Sequence, residues 1–218
     1  MVIFDCNGVL VDSEGIAASV AAEEFNRIGF PLTPEIVGRH FAGRRNADMF
    51  AAVEAATGRK LPSTFNAIVT AAILRRFRTE LRAMPHVAYA LTWLRGPKCV
   101  ASSSSLERIR VSLETTDLLR FFGVNLFSAT DVARGKPAPD LFLRTAARMG
   151  ITPADCIVVE DSAPGVAAAC AAGMTAIGFL GANHSDPSAG ASLMAAGART
   201  IIADMRALKS TVFALRGW

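Results

Sequence analysis

The fold of this chain is decided by the stretch MVIFDCNGVLVDSE, residues 1–14. A short apolar run, Val2–Phe4, ends at Asp5, and Gly8 follows three residues later. A buried parallel strand has this form, and ligands of open α/β sheets bind beyond the carboxyl ends of such strands. Asp5 is therefore expected at the ligand-binding edge of a sheet, and Gly8 supplies the permissive backbone of a tight turn. From these residues alone, Asp5 is compatible with a turn former, a metal ligand, a ribose-binding acid or a phosphate acceptor.

The second half of the chain alternates between apolar strand candidates and helical patterns. Strands are predicted at residues 99–101, 126–128, 157–159, 176–178 and 200–202, and helices near 85–95, 105–120, 139–149, 163–172, 190–197 and 205–215. This alternation predicts an α/β fold with a doubly wound parallel sheet and right-handed crossovers, in which Val2–Phe4 is the first strand.

Residues 15–82 show helical periodicity and no strand signal. Helices are predicted from residue 15 to Gly29, from Thr33 onward, from Asn46 to Gly58, and from Ser63 to about Arg82. The chain therefore divides into a core domain, residues 1–14 plus 83–218, and a helical insertion, residues 15–82.

Composition argues against several classes of protein. Apolar residues form 51% of the 218 residues, yet no apolar run approaches the roughly 18 residues of a membrane helix. Asp5 follows the first apolar run too soon for a secretory signal. The four cysteines are scattered and are interpreted as buried thiols in a reducing, cytoplasmic compartment. The net charge of +4 comes without a basic run interleaved with aromatic residues, so a small anionic substrate fits better than nucleic acid.

Two further strand ends carry groups suited to phosphate. Strand 99–101 runs into Ser102–Ser105, whose hydroxyls and backbone N–H groups suit phosphate oxygens, although serines at such a turn also cap helices. Lys136 stands before Pro137 and Pro139, which stiffen the chain and favour an aimed ammonium over an ordinary surface lysine.

A third strand end carries two adjacent acids, Glu160 and Asp161. Adjacent carboxylates near a core are costly unless a cation accompanies them. Oxygen ligands beside a phosphate select Mg²⁺. Together with Asp5, Ser102 and Lys136, these acids provide the functional groups needed for phosphoryl transfer, in which Asp5 attacks phosphorus in line. No Gly-x-x-x-x-Gly-Lys loop or Gly-x-Gly-x-x-Gly fingerprint points to a different phosphate chemistry.

Four motifs occur in order: Asp-x-x-Gly-Val-Leu-Val-Asp-Ser-Glu, the Ser102 turn, Lys136-Pro137, and Val-Val-Glu-Asp-Ser-x-x-Gly. Over essentially the whole chain they resemble the haloacid dehalogenase superfamily, and within it the sugar-phosphate phosphatases and β-phosphoglucomutase-like members. The resemblance implies a Rossmann-like core, with Asp5 as the nucleophile that becomes an aspartyl phosphate. It implies that Ser102 and Lys136 bind the phosphoryl group.

The same resemblance implies that Mg²⁺ is held by Asp5, the backbone carbonyl of Asn7, Glu160 and Asp161. It also implies that residues 15–82 are a cap whose closure excludes water from the site. The residues expected to bind substrate are Gly8, Ser103, Gly43, Arg44, Arg45 and Asn46. The two arginines of this group are equally compatible with solvated helix ends.

The chain departs from the family pattern at Asn7. The family's phosphatases and mutases carry a second Asp there as general acid and base, and an amide has no titratable proton to give a leaving alkoxide. General acid–base catalysis contributes about 10²–10⁴-fold, so a slow enzyme is predicted. An engineered substitution, a natural variant with altered chemistry, and an Asn-Gly step that deamidates all remain open.

The leading prediction is a Mg²⁺-dependent phosphatase acting on small phosphorylated sugars or sugar acids. A phosphosugar mutase and a catalytically silent phosphometabolite-binding protein remain as alternatives. The expected partner is a small phosphorylated metabolite, without nucleic acid or membrane, and the expected state is a cytoplasmic monomer or weak homodimer.

Overall fold

The structure is a computed structural model that describes residues 1–41, 46–181 and 187–216. Its strands are β1 Val2–Phe4, β2 Val11–Asp12, β3 Arg82–Ala83, β4 Lys98–Ser102, β5 Leu126–Ser128, β6 Ile157–Glu160, β7 Thr175–Phe179 and β8 Thr200–Ile202. Its α-helices are α1 Glu14–Arg27, α2 Pro34–Phe41, α3 Asn46–Thr57, α4 Phe65–Glu80, α5 Val87–Trp93, α6 Leu106–Thr115, α7 Asp140–Met149, α8 Ala163–Ala171, α9 Pro187–Ala195 and α10 Leu208–Leu215.

Six strands form one parallel sheet in the order β5-β4-β1-β6-β7-β8. Phe4 at the end of β1 pairs with Val100 of β4 on one side and with Val159 of β6 on the other. The order reverses around β1, which places its carboxyl end at the topological switch point where ligands of such sheets bind. The predicted doubly wound α/β fold is confirmed.

Both faces of this sheet are covered, as a parallel sheet requires. Val2 and Phe4 pack into one apolar cluster, while Ile3 between them packs into a second cluster on the opposite face. None of the three side chains is more than 1% exposed. This burial explains why the strand is a continuous apolar run rather than an alternating one.

The predicted elements of the second half agree with the observed strands and helices within about three residues, except that the helix predicted at 105–120 ends at Thr115. The prediction that residues 15–82 contain no strand is wrong at its last residue. Arg82 belongs to β3, which pairs antiparallel with β2, with Asp12 opposite Arg82. Leu81 ends α4 with extended backbone angles, so the helix stops at Glu80. Two-residue strands leave no periodic signal, which is why β2 and β3 were not predicted.

Helices α1 to α4 form the insertion between β2 and β3. Phe25 packs at its centre, with ring centroids 4.8 Å from Phe65 and 5.8 Å from Phe50. These rings belong to the same apolar cluster that covers one face of the sheet. The division into a core domain and a cap stays a prediction.

Among the residues that the structure describes, no helix combines the length and apolar content needed to cross a bilayer. The four cysteines are free, and three of them are buried as predicted. The prediction is wrong for Cys170, which is exposed near the end of α8.

Candidate active site

Asp5 follows β1 directly and lies at the carboxyl edge of the sheet. Its backbone N–H donates to the carbonyl of Val159, so the parallel pairing with β6 continues into the residue itself. The side chain is 8% exposed. A carboxylate at this depth requires a cationic or hydrogen-bonding partner.

That partner is Lys136, whose ammonium donates to Asp5 Oδ1 at 2.6 Å and also to Glu160 Oε1. The Lys136 side chain is 2% exposed. Burial would lower the pKa of this ammonium, but the charges of Asp5 and Glu160 outweigh burial and raise the pKa above its usual value. The structure therefore brings together the predicted nucleophile, the predicted lysine and one of the two predicted acids.

Glu160 ends β6 and is fully buried. Its Oε2 accepts a hydrogen bond from the Ser162 hydroxyl at 3.0 Å, and that hydroxyl also accepts from the N–H of Gly165 to cap α8. Burial raises the pKa of Glu160, and Lys136 opposes this shift. A Cβ added to Gly165 would lie 2.1 Å from the Glu160 carboxyl carbon, so only glycine leaves room for this acid.

Asp161 stands against a second glycine. A Cβ on Gly8 would lie 1.9 Å from Asp161 Oδ2, and Gly8 has a φ of +71°, the left-handed region that favours glycine. Burial, followed by the charges of Glu160 and Asp5, raises the pKa of Asp161 well above its usual value. Gly8 was predicted to bind substrate, and the structure places it beneath Asp161, where it makes room for that carboxylate.

The serine turn after β4 faces this group of charges. Ser102 is buried and its hydroxyl accepts from the N–H of Ser104 at 3.3 Å. Ser128 at the end of β5 donates to the Ser104 carbonyl at 2.7 Å and fixes the turn from the neighbouring strand. Ser105 caps α6, since its hydroxyl accepts from the N–H of Arg108. The turn therefore serves as a helix cap at Ser105, and its Ser104 hydroxyl contacts the side chain of Asn7.

Asn7 joins this turn to the β1 segment. Its side-chain amide donates to the Ser104 hydroxyl at 2.9 Å, while its Oδ1 is buried and has no hydrogen-bond partner. The position two residues after the predicted nucleophile is therefore occupied by an uncharged amide that lies between Asp5 and the serine turn.

A cavity of about 740 Å³ opens beside Asn7, between the serine turn and the helical insertion. Its volume is within the range of small-molecule sites. Among the predicted residues it is lined by Asn7, Ser103 and Asn46, and the wall includes Glu14, Arg108 and Asn66. Gly43, Arg44 and Arg45 lie outside the described residues, so their predicted roles stay predictions.

Several site residues escaped the sequence analysis. Gly165 was quoted only as the last letter of a motif, although that motif was the signal for it. Glu14 was quoted only as the last letter of the first motif, which was the signal for it. Arg108 fell within a predicted helix, and nothing in its local sequence distinguishes it from a surface residue. Ser128 ends a predicted strand next to β4, and that position was the available signal.

The donor set around Asp5 fits Mg²⁺. The carboxylates of Asp5 and Asp161 and the backbone carbonyl of Asn7 are oxygen donors, and Mg²⁺ is commonly bound by one or two carboxylates, waters and a substrate phosphate. Asp161 is half-buried and makes no hydrogen bond with any described residue, so its carboxylate is available to a cation. In the described ranges no three acidic, His or Cys side chains form a metal-binding cluster, so the predicted ligands Asp5, Glu160 and Asp161 are not preassembled as one. Glu160 is bound by Lys136 and Ser162, and its role as a ligand stays a prediction.

Comparison with known proteins decides the family. A model of the haloacid dehalogenase-like hydrolases matches residues 1–173. The chain belongs to this family. Within the haloacid dehalogenase-like hydrolases it is similar to the 6-phosphogluconate phosphatase of Escherichia coli strain K12, at 32% identity over 187 residues and 85% of each chain. It is 29% identical to the phosphorylated carbohydrates phosphatase of Thermotoga maritima, over 92% of this chain and 93% of that one.

The same family appears among solved structures. A haloacid dehalogenase-like protein of unknown function from Agrobacterium tumefaciens superposes with a TM-score of 0.82 at 37% identity, over 99% of this chain and 98% of that one. The predicted resemblance and the prediction of a hydrolase are confirmed.

Proposed function

We propose that this haloacid dehalogenase-like hydrolase is a Mg²⁺-dependent phosphatase of small phosphorylated sugars or sugar acids that works through an aspartyl phosphate. The observation that carries the proposal is the contact between Lys136 and Asp5 at the switch point of the sheet. Two of its relatives are named as phosphatases of 6-phosphogluconate and of phosphorylated carbohydrates, which supports the substrate class.

In the proposed reaction, an oxygen of Asp5 attacks phosphorus and the ester oxygen leaves with the bonding electrons. Lys136 lies within hydrogen-bond distance of Asp5 and would neutralise charge on the transferring oxygens. The backbone and hydroxyl groups of Ser102 and Ser103 would orient the phosphoryl group. Bound Mg²⁺, held by Asp5, Asp161 and the carbonyl of Asn7, would supply further charge stabilisation. Water then attacks phosphorus of the aspartyl phosphate, which releases inorganic phosphate and regenerates Asp5.

The weak point of this reaction is proton transfer to the leaving alkoxide. Asn7 occupies the position beside Asp5 from which a carboxylic acid would donate, and its amide has no proton of suitable pKa. An aspartate at residue 7 has nearly the same shape, and the Ser104 hydroxyl, which now accepts from Asn7, can instead donate to a carboxylate. The replacement is therefore sterically neutral and adds the missing acid.

The test is phosphate release from a panel of sugar phosphates with Mg²⁺, comparing the chain with Asn7→Asp after intact mass has excluded deamidation. We expect kcat to rise about 10²–10⁴-fold in Asn7→Asp. Asp5→Asn in the same background is the control, and it should abolish both turnover and the covalent phosphoryl adduct.

Two outcomes would overturn the proposal. Conversion of a sugar phosphate to its isomer without phosphate release would assign the chain to the mutases. Phosphate binding without turnover in either form would favour a silent phosphometabolite-binding protein.

A further inference from the structure

Arg108 brings a positive charge into the cavity beside the proposed site. The residue lies in the first turn of α6, and its side chain lines the cavity together with Asn7 and Ser104. Its guanidinium carbon is 5.0 Å from the ring centroid of Phe77 on α4. The side chain is therefore held between the sheet domain and the helical insertion, at the wall that a bound substrate would touch.

The guanidinium of the half-buried Arg108 has no anionic partner among the described residues. Its Nε is buried without a hydrogen-bond partner, and the side chain forms no ion pair with any carboxylate of the described residues. Glu14 lines the same cavity and is near enough to influence the pKa of Arg108, but the two side chains are not hydrogen-bonded. A buried charged donor without an acceptor is destabilising. Such a donor is expected in the empty state of a site whose ligand is an anion that supplies the acceptor.

We propose that Arg108 binds a carboxylate of the substrate, so that the preferred substrates are phosphorylated sugar acids rather than neutral sugar phosphates. This inference rests on the proposed phosphatase function. The planar guanidinium presents N–H groups in a fork that matches the two oxygens of a carboxylate.

The polar part of the remaining cavity wall favours a monoanion attached to a polyol, while the other part of the wall is apolar. Asn46, Asn66 and Thr70 line it with neutral polar side chains that suit sugar hydroxyls. Glu14 and Glu107 also line it, and their negative charges would disfavour a second phosphate, which carries more charge than a carboxylate.

The experiment compares 6-phosphogluconate with glucitol 6-phosphate, in which a hydroxymethyl group replaces the carboxylate. The ratio of the two kcat/KM values is measured in the chain and in the Asn7→Asp background, each with and without Arg108→Gln. Loss of one charge-assisted contact to a carboxylate is expected to lower the ratio about 10- to 100-fold. Arg108→Lys should lower it less, because the ammonium keeps the charge but loses the fork.

Arg110→Gln is the matched control, since Arg110 lies on the same helix and is exposed, and its ratio should equal that of the parent. Thermal unfolding of each variant checks that loss of the contact with Phe77 leaves the fold intact. If Arg108→Gln does not fold, Arg108→Lys alone decides between a lowered and an unchanged ratio.

Equal losses for both esters would overturn the carboxylate assignment and place Arg108 on the reacting phosphoryl group. Preference for a sugar bisphosphate over both esters would also overturn it. If neither ester is hydrolysed by any form, the proposed function fails. Calorimetric binding then still tests Arg108, because 6-phosphogluconate should bind more tightly than glucitol 6-phosphate only when Arg108 is present.

Discussion

Replacing Lys136 with methionine removes the charge that two buried carboxylates share. The lysine side chain is 2% exposed, and its partners Asp5 and Glu160 are 8% and 1% exposed. Removing one member of a buried ion pair costs about 3–5 kcal/mol, because the remaining charge is left uncompensated. At this chain length each kcal/mol corresponds to roughly 2–4 °C in Tm, so Lys136→Met should lower Tm by about 6–20 °C.

Arg134→Met is the matched control, because Arg134 lies two residues earlier and forms an ion pair with Asp140 while 71% exposed. Exposed pairs contribute about 0–1 kcal/mol, so this variant should unfold close to the parent. The stability of the parent and of both variants is measured by urea and thermal unfolding. EDTA is present, so that metal binding does not affect the comparison.

The stability that Lys136 contributes depends on pH with a defined sign. The pKa of Lys136 is raised by folding, so its stabilising contribution is complete below the usual lysine pKa of 10.5 and is lost as the pH rises beyond that value. The difference between the parent and Lys136→Met should therefore persist from neutral pH to 10.5 and shrink above it. A loss no larger than that of Arg134→Met would refute the reasoning.

Two further experiments, one a substitution and the other a thiol modification, test the packing around the site and the sheet. Gly165→Ala should lower the free energy of unfolding in urea by about 1–3 kcal/mol and reduce phosphate release, because the new methyl group meets Glu160. Gly15→Ala is the control and should be neutral or slightly stabilising, because an added Cβ there meets nothing within 4 Å. A thiol reagent such as Ellman's reagent should modify one cysteine per native chain at pH 8, the exposed Cys170, and all four after unfolding. Burial raises the pKa of Cys99 to about 12, so reaction of a second thiol in the native protein would contradict the packing of the sheet.

The sheet was predictable because its strands are buried on both faces. A strand that is buried on both faces is a short continuous apolar run, and runs such as Ile157–Val159 lie between turns and helical patterns. Such a run is therefore readily identified as a strand of a parallel sheet. The hairpin of β2 and β3 was not predictable, because two-residue strands carry no periodicity. Their pairing depends on α4 ending at Glu80, before the extended backbone of Leu81.

For the site, the residue types at the strand ends were predictable, but their mutual contacts were not. Asp5, Lys136 and Glu160 could be assigned to one edge of the sheet, yet the bridging of both acids by one ammonium depends on the order β4-β1-β6. The space beside Gly165 and the unpaired guanidinium of Arg108 depend on the approach of side chains distant in sequence. Such contacts leave no trace in local spacing.

The two-residue hairpin of β2 and β3 also bears on how such a protein changes over generations. The chain leaves the sheet domain at Asp12 and returns at Arg82, and these two residues face each other in the hairpin. Because departure and return are adjacent, a different set of helices can be inherited between them without altering the register of the parallel sheet. Lineages could thus exchange helices α1 to α4 while keeping Asp5 and Lys136 unchanged.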